Sequence, residues 1–548
     1  MRVRQSIFIT NIKKEEEKKM KKVLSLLLLT VIMIFSLTVA GTVEGKEKGR
    51  SLTLGVSSEV VNSAAWLLRS PQEKIAWSCV YELLFVLDDK GNVAPNLAKS
   101  LKSDFKNKTY TVTLREDVYF SDGSHLDADV LLWNFENFKK NSKTSATHFG
   151  DVASFEKTGD YTVVIHLSEW NSQIPYSLTS VSGLMYSKQA FEKNGYDWCL
   201  KNPVGTGPFI LEKWVKDEYK TFVKNESYWK KDVDILLDEI TVRIIADEMS
   251  AQAALLNGDI NGYAGPSYSM QNTLMAKGFN VSRGTMWYRI YFLIFASAKK
   301  DSPLSDVRVR QAIGYAIDSE AIAKKIDFGL TIPSNQYAVE GTIFYNKDIK
   351  GYGYDVKKAK ALLADAGYAN GFTTTIYTGT DQPLQRYMVA LQGYLADIGI
   401  KVKLEYQEVS LWVSKTLYGI DEGMIIAGHG FGINLVNQMA SNFSKRAVKG
   451  VGMLKESKLH PDDLDEVIMS ALRAPKPDVM IEKEKIAQKL IIDKYCLGYP
   501  IVIGRADEVI LNPNVVDAHT FATKNEYFDY TQIYFKDQRK DPGKTKKK

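Results

Sequence analysis

The residues that most often carry catalysis or bind metals are few and widely scattered in this chain. Its six histidines form neither H-x-H nor H-E-x-x-H, and no two of them stand at the spacing of ligands on one helix. No G-x-S-x-G nucleophile turn and no Walker A loop is present. These patterns give no reason to expect an enzyme.

One glycine-rich segment, residues 428–432 with the sequence GHGFG, is similar to the start of a nucleotide-binding loop. Ile433 stands where the third glycine of G-x-G-x-x-G is needed, so we expect no cofactor there. The adjacent acids Asp462 and Asp463 are better explained as the start of a helix, where negative charge is favourable. We therefore predict a protein without cofactor or metal.

The three cysteines, Cys79, Cys199 and Cys496, are an odd number at wide spacing, which does not make a disulfide framework. We predict that they are buried as small apolar side chains.

The chain has 548 residues, of which 45% are hydrophobic and 25% are charged. This composition is that of a globular protein, and the chain is long enough to form several folding units.

The net charge of +6 comes from the two ends of the chain. Between residues 51 and 535 there are 53 basic and 58 acidic side chains, so the body is mildly acidic. Nucleic-acid binding relies on clustered lysine and arginine, and we exclude it.

The N-terminal region has the pattern of an export signal. Residues 23–39 form an uncharged apolar run that follows Lys21 and Lys22, and small residues come after it. Its length lies between that of a signal peptide and that of a membrane-spanning helix. We expect an exported protein, periplasmic or at the cell surface, whose segment 1–45 is either a cleaved signal or a retained anchor; Met20 is an alternative start.

Short apolar strands alternate with amphipathic helices beyond residue 50, which predicts an α/β protein. In the second half Asp355 can cap a helix that ends at Gly367, and a second helix is predicted over 384–398. Strands are predicted over 372–377 and 400–406.

Several segments resemble the bacterial family 5 extracellular solute-binding proteins, the receptors of peptide and nickel ABC importers. The most specific is DVRVRQAIGYAID at 306–318, in which Asp306 can cap a helix with a buried apolar stripe and Arg308 and Arg310 are expected outside that stripe. The others are YTVTLREDVYFSDGSHLDADV at 110–130, NPVGTGPF at 202–209 with NESYW at 225–229, YDVKKAKALLADAGY at 354–368 and LADIGIKV at 395–402. They occur in the family's order and span about 300 residues.

The resemblance implies a bilobal fold of the type II periplasmic-binding-protein class, with an extra domain inserted in the first lobe (cluster C). Lobe I is predicted to comprise residues 46–80, 201–285 and 505–535, with the inserted domain over 81–200 and lobe II over 286–504. Residues 536–548 are predicted to be a disordered basic tail. A solute would bind between the lobes, and the closed form would dock on a permease that works with an ATPase.

The resemblance also indicates which residues line the cleft. Trp66 and Arg69 follow the first strand, and Arg69 can grip a carboxylate. The loop that contains Thr206 is expected near the cleft. The remaining candidates are Trp287, Tyr288, His429 and Phe431, of which the aromatic residues can stack on a solute.

The sequence leaves the solute open. Peptide-binding relatives carry an acid late in lobe II that pairs with the free amine of the peptide, but residues 425–434 contain none. We expect an oligopeptide or a similarly elongated solute, bound by a monomer without catalysis. The alternatives are a receptor for a nickel chelate or a sugar-like solute, an exported hydrolase, and a signalling receptor without a transporter.

Overall fold

The computed structural model describes residues 50–59, 61–68, 71–88, 91–283, 288–380, 382–431, 435–445, 453–454, 456–505, 508–517 and 527–538. The predicted export segment, 1–45, lies outside the described residues, and so do all but the first three residues of the predicted tail, 536–548. Within the described residues no helix is both long and apolar enough to cross a membrane.

Strands occur along the whole described part of the chain. They are β1 Ser51–Val56, β2 Phe85–Leu87, β3 Val93–Pro95, β4 Ala98–Asp104, β5 Thr109–Leu114, β6 Val152–Gly159, β7 Thr162–Leu167, β8 Phe209–Val215, β9 Tyr219–Lys224, β10 Glu239–Ile244, β11 Gly262–Ala264, β12 Asn280–Ser282, β13 Tyr288–Phe295, β14 Ile332–Pro333, β15 Thr373–Gly379, β16 Lys401–Gln407, β17 Met424–Phe431, β18 Gly498–Arg505, β19 Val509–Leu511, β20 Val515–Asp517 and β21 Ile533–Phe535.

Helices separate most of these strands. They are α1 Pro71–Trp77, α2 Ala128–Asn141, α3 Ser145–Phe149, α4 Ile174–Ser177, α5 Lys188–Asn194, α6 Tyr196–Cys199, α7 Glu248–Asn257, α8 Tyr268–Met275, α9 Val307–Ala316, α10 Ser319–Ala321, α11 Val356–Asp365, α12 Gln382–Ala396, α13 Val409–Tyr418, α14 Leu435–Phe443, α15 Asp462–Leu472 and α16 Pro477–Lys489. Short 3₁₀ turns lie at Ala65–Leu67, Val181–Gly183, Pro303–Ser305 and Tyr530–Gln532, and π turns at Ile322–Ile326 and Leu490–Lys494.

Three sheets define the architecture. Lobe I is built on a seven-stranded sheet with the order β12-β19-β11-β1-β10-β9-β8, and lobe II on a six-stranded sheet with the order β14-β18-β13-β17-β15-β16. A four-stranded sheet, β4-β5-β7-β6, forms the centre of the inserted domain. This arrangement is the bilobal α/β fold that the sequence predicted. The exact domain boundaries stay predictions.

The apolar core is divided between the lobes. One cluster of buried side chains runs from the seven-stranded sheet into the inserted domain, for example from Leu54 to Val163. A separate cluster fills lobe II around β13, β17 and α9. The inserted domain is therefore fused to lobe I by a shared core, whereas lobe II has its own.

The helix α9 shows how the sequence specifies local structure. The carboxylate of Asp306 caps it by accepting a hydrogen bond from the backbone N–H of Arg308 at 2.8 Å. The predicted apolar stripe is buried, but Arg310, which was expected to lie outside that stripe, is only 1% exposed. Its guanidinium donates to backbone carbonyls of residues 304, 305, 495 and 496, so this arginine ties α9 to the segment between α16 and β18.

The interpretation of residues 428–432 as a loop was wrong for most of the segment. Residues 428–431 continue β17, which pairs along its full length with β13. The ideal Cβ of an alanine at Gly428 would lie 2.9 Å from the Tyr291 ring, so close packing on the neighbouring strand explains this glycine.

Elsewhere the predicted elements hold with ends shifted by one or two residues, as in α12 and β15. All three cysteines are buried.

Candidate functional site

The carboxyl ends of the parallel strands in both sheets lie beside the two chain crossings between the lobes. In lobe I, β1 is parallel to β11, and β19 is antiparallel to both β11 and β12. The first crossing therefore leaves lobe I from the edge at which β1 and β11 also end. It enters lobe II at Tyr288, opposite Phe431 at the carboxyl end of β17, which is parallel to β15. Open α/β sheets bind ligands outside the carboxyl ends of their strands, which indicates a cleft at these facing edges.

The described residues that flank the two crossings are tied to each other. Arg283 on the first crossing pairs with Glu508 on the second, with 2.8 Å between Nε and Oε1. Gln271 of α8 donates to the other oxygen of Glu508 at 2.7 Å. Burial raises the pKa of Glu508, although Arg283 and Gln271 oppose that shift. Two adjacent strand connections of this kind are suited to act as a hinge.

A cationic cluster lies where α8 of lobe I meets lobe II. The guanidinium of Arg386, in the first turns of α12, lies 4.7 Å from the ring centre of Tyr268 and 4.7 Å from that of Tyr387. Tyr268 belongs to lobe I, so the arginine bridges the two lobes through a cation–π contact. An alanine Cβ at Gly504 of lobe II would lie 2.0 Å from the Tyr268 hydroxyl, which shows how closely the lobes approach here.

The charge of Arg386 is only partly satisfied within the protein. Its Nε lies 3.0 Å from Oδ1 of Asp327, and its Nη2 donates to the Tyr387 hydroxyl at 2.8 Å. Asp327 is fully buried and also accepts from Thr331 and Tyr387, and burial raises its pKa against those contacts. Among the described residues Nη1 of Arg386 has no hydrogen bond, Nε and Oδ1 of Asp327 are close but make no hydrogen bond of good geometry, and the side chain is 23% exposed. Such a group can bind a carboxylate of a solute.

The structure brings three of the predicted site residues together at backbone level. Tyr288 is opposite Phe431, and His429 is opposite Ile290, on the paired strands β13 and β17 at the edge beside the crossings. The side chains of Tyr288, His429 and Phe431 lie outside the described atoms. Arg69 and Trp287 lie outside the described residues altogether.

Thr206 lies in lobe I beside a buried carboxylate. Its hydroxyl donates to Oε2 of Glu82 at 3.0 Å, and its side chain is fully buried. Glu82, itself 3% exposed, also accepts from Tyr228, Trp229 and Lys230. The motifs NPVGTGPF and NESYW thus meet on one acid, which makes this group a structural centre of lobe I. With the hydroxyl hydrogen of Thr206 committed to Glu82, a solute contact at this residue would fall to its backbone.

Trp66 lies in the segment after β1 and is 3% exposed. Its ring packs against Trp133, Tyr186, Phe191 and Tyr196, with centroids 5.4–6.1 Å apart. Among the described residues its indole N–H has no hydrogen-bond partner. A buried donor without a partner is costly, and a solute group or water at this position can satisfy it.

A cavity lies beside the same segment. It has a volume of about 330 Å³, including the space that opens to solvent, and its lining includes Leu68, Lys74, Trp77, Tyr81, Ser180 and Tyr527. Lys74 in this lining is itself buried. Burial, helped by the Lys74 charge, lowers the pKa of the nearby His148 to about 4, so this imidazole is neutral at pH 7.

Sequence reasoning missed Arg386, Asp327, Lys74 and Glu82. For Arg386 a signal was available, because it is the single charged residue in the helix QPLQRYMVALQGYLA. A lone charge in a helix that follows a buried strand often marks a functional position. Glu82 and Lys74 gave no comparable signal, since their partners come from distant parts of the chain.

Comparison with known proteins agrees with this geometry. Residues 92–449 match the family described as bacterial extracellular solute-binding proteins, family 5 Middle. The chain is 32% identical over 330 residues to the glutathione-binding protein GsiB of Salmonella paratyphi A, which covers 59% of this chain and 63% of that relative. The matched region therefore spans less than two thirds of this relative.

Solved structures share the fold over almost their whole length. The periplasmic binding protein DppA of Helicobacter pylori, in complex with the peptide STSA, is 25% identical with a TM-score of 0.72, and the match covers 89% of this chain and 99% of DppA. NikA of Brucella suis, in complex with Fe(III)-EDTA, is 22% identical with a TM-score of 0.78, covering 89% of this chain and 100% of NikA. The chain belongs to the bacterial extracellular solute-binding proteins of family 5.

Proposed function

We propose that this protein is an exported receptor of an ABC importer, which captures a small peptide between its two lobes and delivers it to a membrane permease. The receptor makes and breaks no covalent bond. Capture requires two bodies that can move relative to one another, and the divided apolar core provides them. The paired crossings at residues 283–288 and 505–508 supply the hinge.

The observation that carries this proposal is the position of Arg386. It contacts lobe I through Tyr268 and lobe II through Asp327. A solute bound to Arg386 is therefore linked to both lobes at once. A ligand drives closure only through contacts that differ between the open and closed states. A cation at the seam between the lobes meets that requirement.

The solute that best fits these charges is a short peptide with free carboxylates. Arg386 has donors to spare, and Lys74 lines a cavity after β1. The GsiB relative is named as a glutathione-binding protein, and glutathione is a tripeptide with two free carboxylates. Reduced glutathione is therefore the first solute to test.

We propose the remaining site residues as contacts in this cleft. Trp66 would donate its indole N–H, and Arg69 would bind a second carboxylate. Trp287, Tyr288, His429 and Phe431 would line the lobe II side, and Thr206 would contribute its backbone. For Tyr288, His429 and Phe431 the support is the register of β13 and β17, which brings their backbones to the same end of these strands.

Isothermal titration calorimetry of the full-length protein tests the proposal. The titrants are reduced glutathione, a neutral tripeptide amide, a nickel–histidine complex and a disaccharide. We expect saturable binding of glutathione and much weaker binding of the amide. Tight binding of nickel–histidine or of the sugar would replace the peptide assignment by one of those alternatives, and turnover of any titrant would point to a hydrolase.

The partners and the location are inferred in the same way. We propose that the closed monomer docks on a permease with its ATPase, in the periplasm or at the cell surface. Residues 1–45 would act as a signal peptide or remain as an anchor. Mass spectrometry of the N-terminus of the exported protein separates these two outcomes.

A further inference from the structure

The inserted domain and lobe II are also joined by direct contacts, and the residues that make them are separate in sequence from the two crossings. Carbonyls at the end of helix α15 in lobe II and just beyond it accept hydrogen bonds from Ser172 and Trp170 of the inserted domain. The Ser172 N–H donates to the Leu472 oxygen at 2.9 Å, and the Trp170 indole donates to the Ala474 oxygen at 2.8 Å. The end of a helix leaves carbonyls without partners in the helix, and here another domain supplies the donors.

An ion pair stands at the centre of these contacts. Arg473 binds Asp151 with both ends of its guanidinium, at 3.0 Å for Nη1–Oδ2 and 3.2 Å for Nη2–Oδ1. Nη1 also donates to the backbone oxygen of Trp170 at 2.5 Å. Asp151 is 6% exposed and accepts a further bond from Asn171. Removing one partner of a buried pair is costly because the other charge is left uncompensated.

Apolar packing reinforces the polar contacts. The ring of Trp170 stacks on Tyr110 with 4.7 Å between the centroids and is 5% exposed. Tyr176 of the inserted domain packs against the lobe II core, whereas most of the buried apolar side chains of that domain belong to the core shared with lobe I. We call the set Asp151, Trp170, Ser172, Tyr176 and Arg473 the clasp.

We propose that the clasp is a conformational switch that holds the closed form and must open before the lobes can separate. The inserted domain shares its core with lobe I, so it moves with lobe I when the hinge bends. Lobe II carries the other half of the clasp. When the lobes separate, the hydrogen bonds and the ion pair of the clasp therefore break, unless the clasp lies on the axis about which the lobes rotate. Part of the free energy of closure then comes from the protein and not from the solute, whichever solute it binds.

Hydrogen exchange at single-residue resolution tests this proposal on the full-length protein without ligand. The Ser172 amide is the reporter, since its partner is in the other lobe. In Arg473→Gln we expect this amide to exchange at least about tenfold faster, because a buried ion pair is lost. The Val164 amide, in β7 of the same domain, should be unchanged. The radius of gyration from small-angle scattering should rise.

Two further variants keep the outcome unambiguous. Trp170→Phe keeps an aromatic ring but removes one hydrogen bond, so it should shift both readouts in the same direction by less, even if Arg473→Gln fails to fold. Arg308→Gln removes an arginine that pairs within lobe II, with Asp306, and should shift neither. Faster exchange at Ser172 without a change in the radius of gyration would overturn the proposal, as would no change at Ser172.

Discussion

In lobe I the buried carboxylate of Glu82 accepts hydrogen bonds from four side chains, whereas in lobe II the guanidinium of Arg386 is paired on one side and open on the other. Glu82 is buried and Arg386 is mostly buried, but only the arginine has bonding capacity left. A saturated buried charge fixes the fold, and an unsaturated one is available to a solute. The hydrogen-bonding capacity that a group has left therefore distinguishes a structural charged group from a candidate binding group, whatever the residue type.

The largest effect is expected at Glu82. Replacing it with alanine leaves four donors without their acceptor, and we expect the free energy of unfolding to fall by about 3–5 kcal/mol. Urea denaturation followed by circular dichroism measures this change. Glu116→Ala, which removes an exposed partner of Lys99, serves as the control and should have little effect. An equally small effect at Glu82 would remove the contrast.

A pH prediction follows from His148 on the lobe I side. Its pKa is about 4 in the folded protein and near 6.5 when unfolded, so below pH 6.5 the unfolded state binds a proton that the folded state does not. Stability should therefore be lost as the pH falls from about 6.5 to 4, by up to about 3 kcal/mol. Urea titrations across this range measure the loss.

The acid sensitivity can be assigned by substitution. His148→Gln should flatten this part of the stability profile, whereas His166→Gln, at an exposed histidine paired with Glu156, should leave it in place. Parallel profiles for the original protein and His148→Gln would show that the pKa of His148 does not differ between the folded and unfolded states.

At Arg386 the expected loss concerns binding. Arg386→Lys keeps the charge opposite Asp327 but loses the planar fork that binds a carboxylate at two points. We expect the Kd for reduced glutathione to rise by about 10- to 100-fold, a loss of about 1.4–2.7 kcal/mol. Calorimetry measures this, with Arg308→Lys as the control. An unchanged Kd would show that Arg386 belongs to the scaffold like Glu82.

The smallest effect is expected at Trp66. Trp66→Phe removes an indole N–H that has no partner among the described residues, so the change in stability should be slight. If the N–H donates to the solute, the Kd for glutathione should rise by about three- to tenfold, which corresponds to one neutral hydrogen bond. Tyr196→Phe, in the same ring cluster, is the control, and an equal change in both variants would argue against a direct contact.

Local sequence rules predicted much of the fold. The caps at Asp306 and Asp355 form as expected, because capping depends only on residues within one turn. The apolar stripe of α9 is buried for a similar reason: helical periodicity determines which side chains share a face. The error at residues 428–431 arose because glycines favour loops locally, whereas here they let β17 pack closely on Tyr291.

The site was less predictable than the fold. The structure places the backbones of Tyr288, His429 and Phe431 on the paired strands β13 and β17, and their role in binding stays a prediction. Arg386 and Asp327 are separated by about sixty residues, and their pairing depends on how α12 docks, which the sequence does not display. Thr206 was chosen from its motif, and only the fold shows that Glu82 occupies its hydroxyl.

The order of strands in lobe I has a consequence for biosynthesis. Strand β19, residues 509–511, stands between β12 and β11, so this sheet lacks an inner strand until nearly the whole chain has emerged. Tyr527 and Tyr530, later still, donate hydrogen bonds to backbone oxygens around α1. Lobe II is formed by one continuous stretch of the chain and can fold earlier. The strands from the first half of the chain keep exposed edges until β19 is available. During translocation we therefore expect lobe I to need chaperone protection for longer than lobe II.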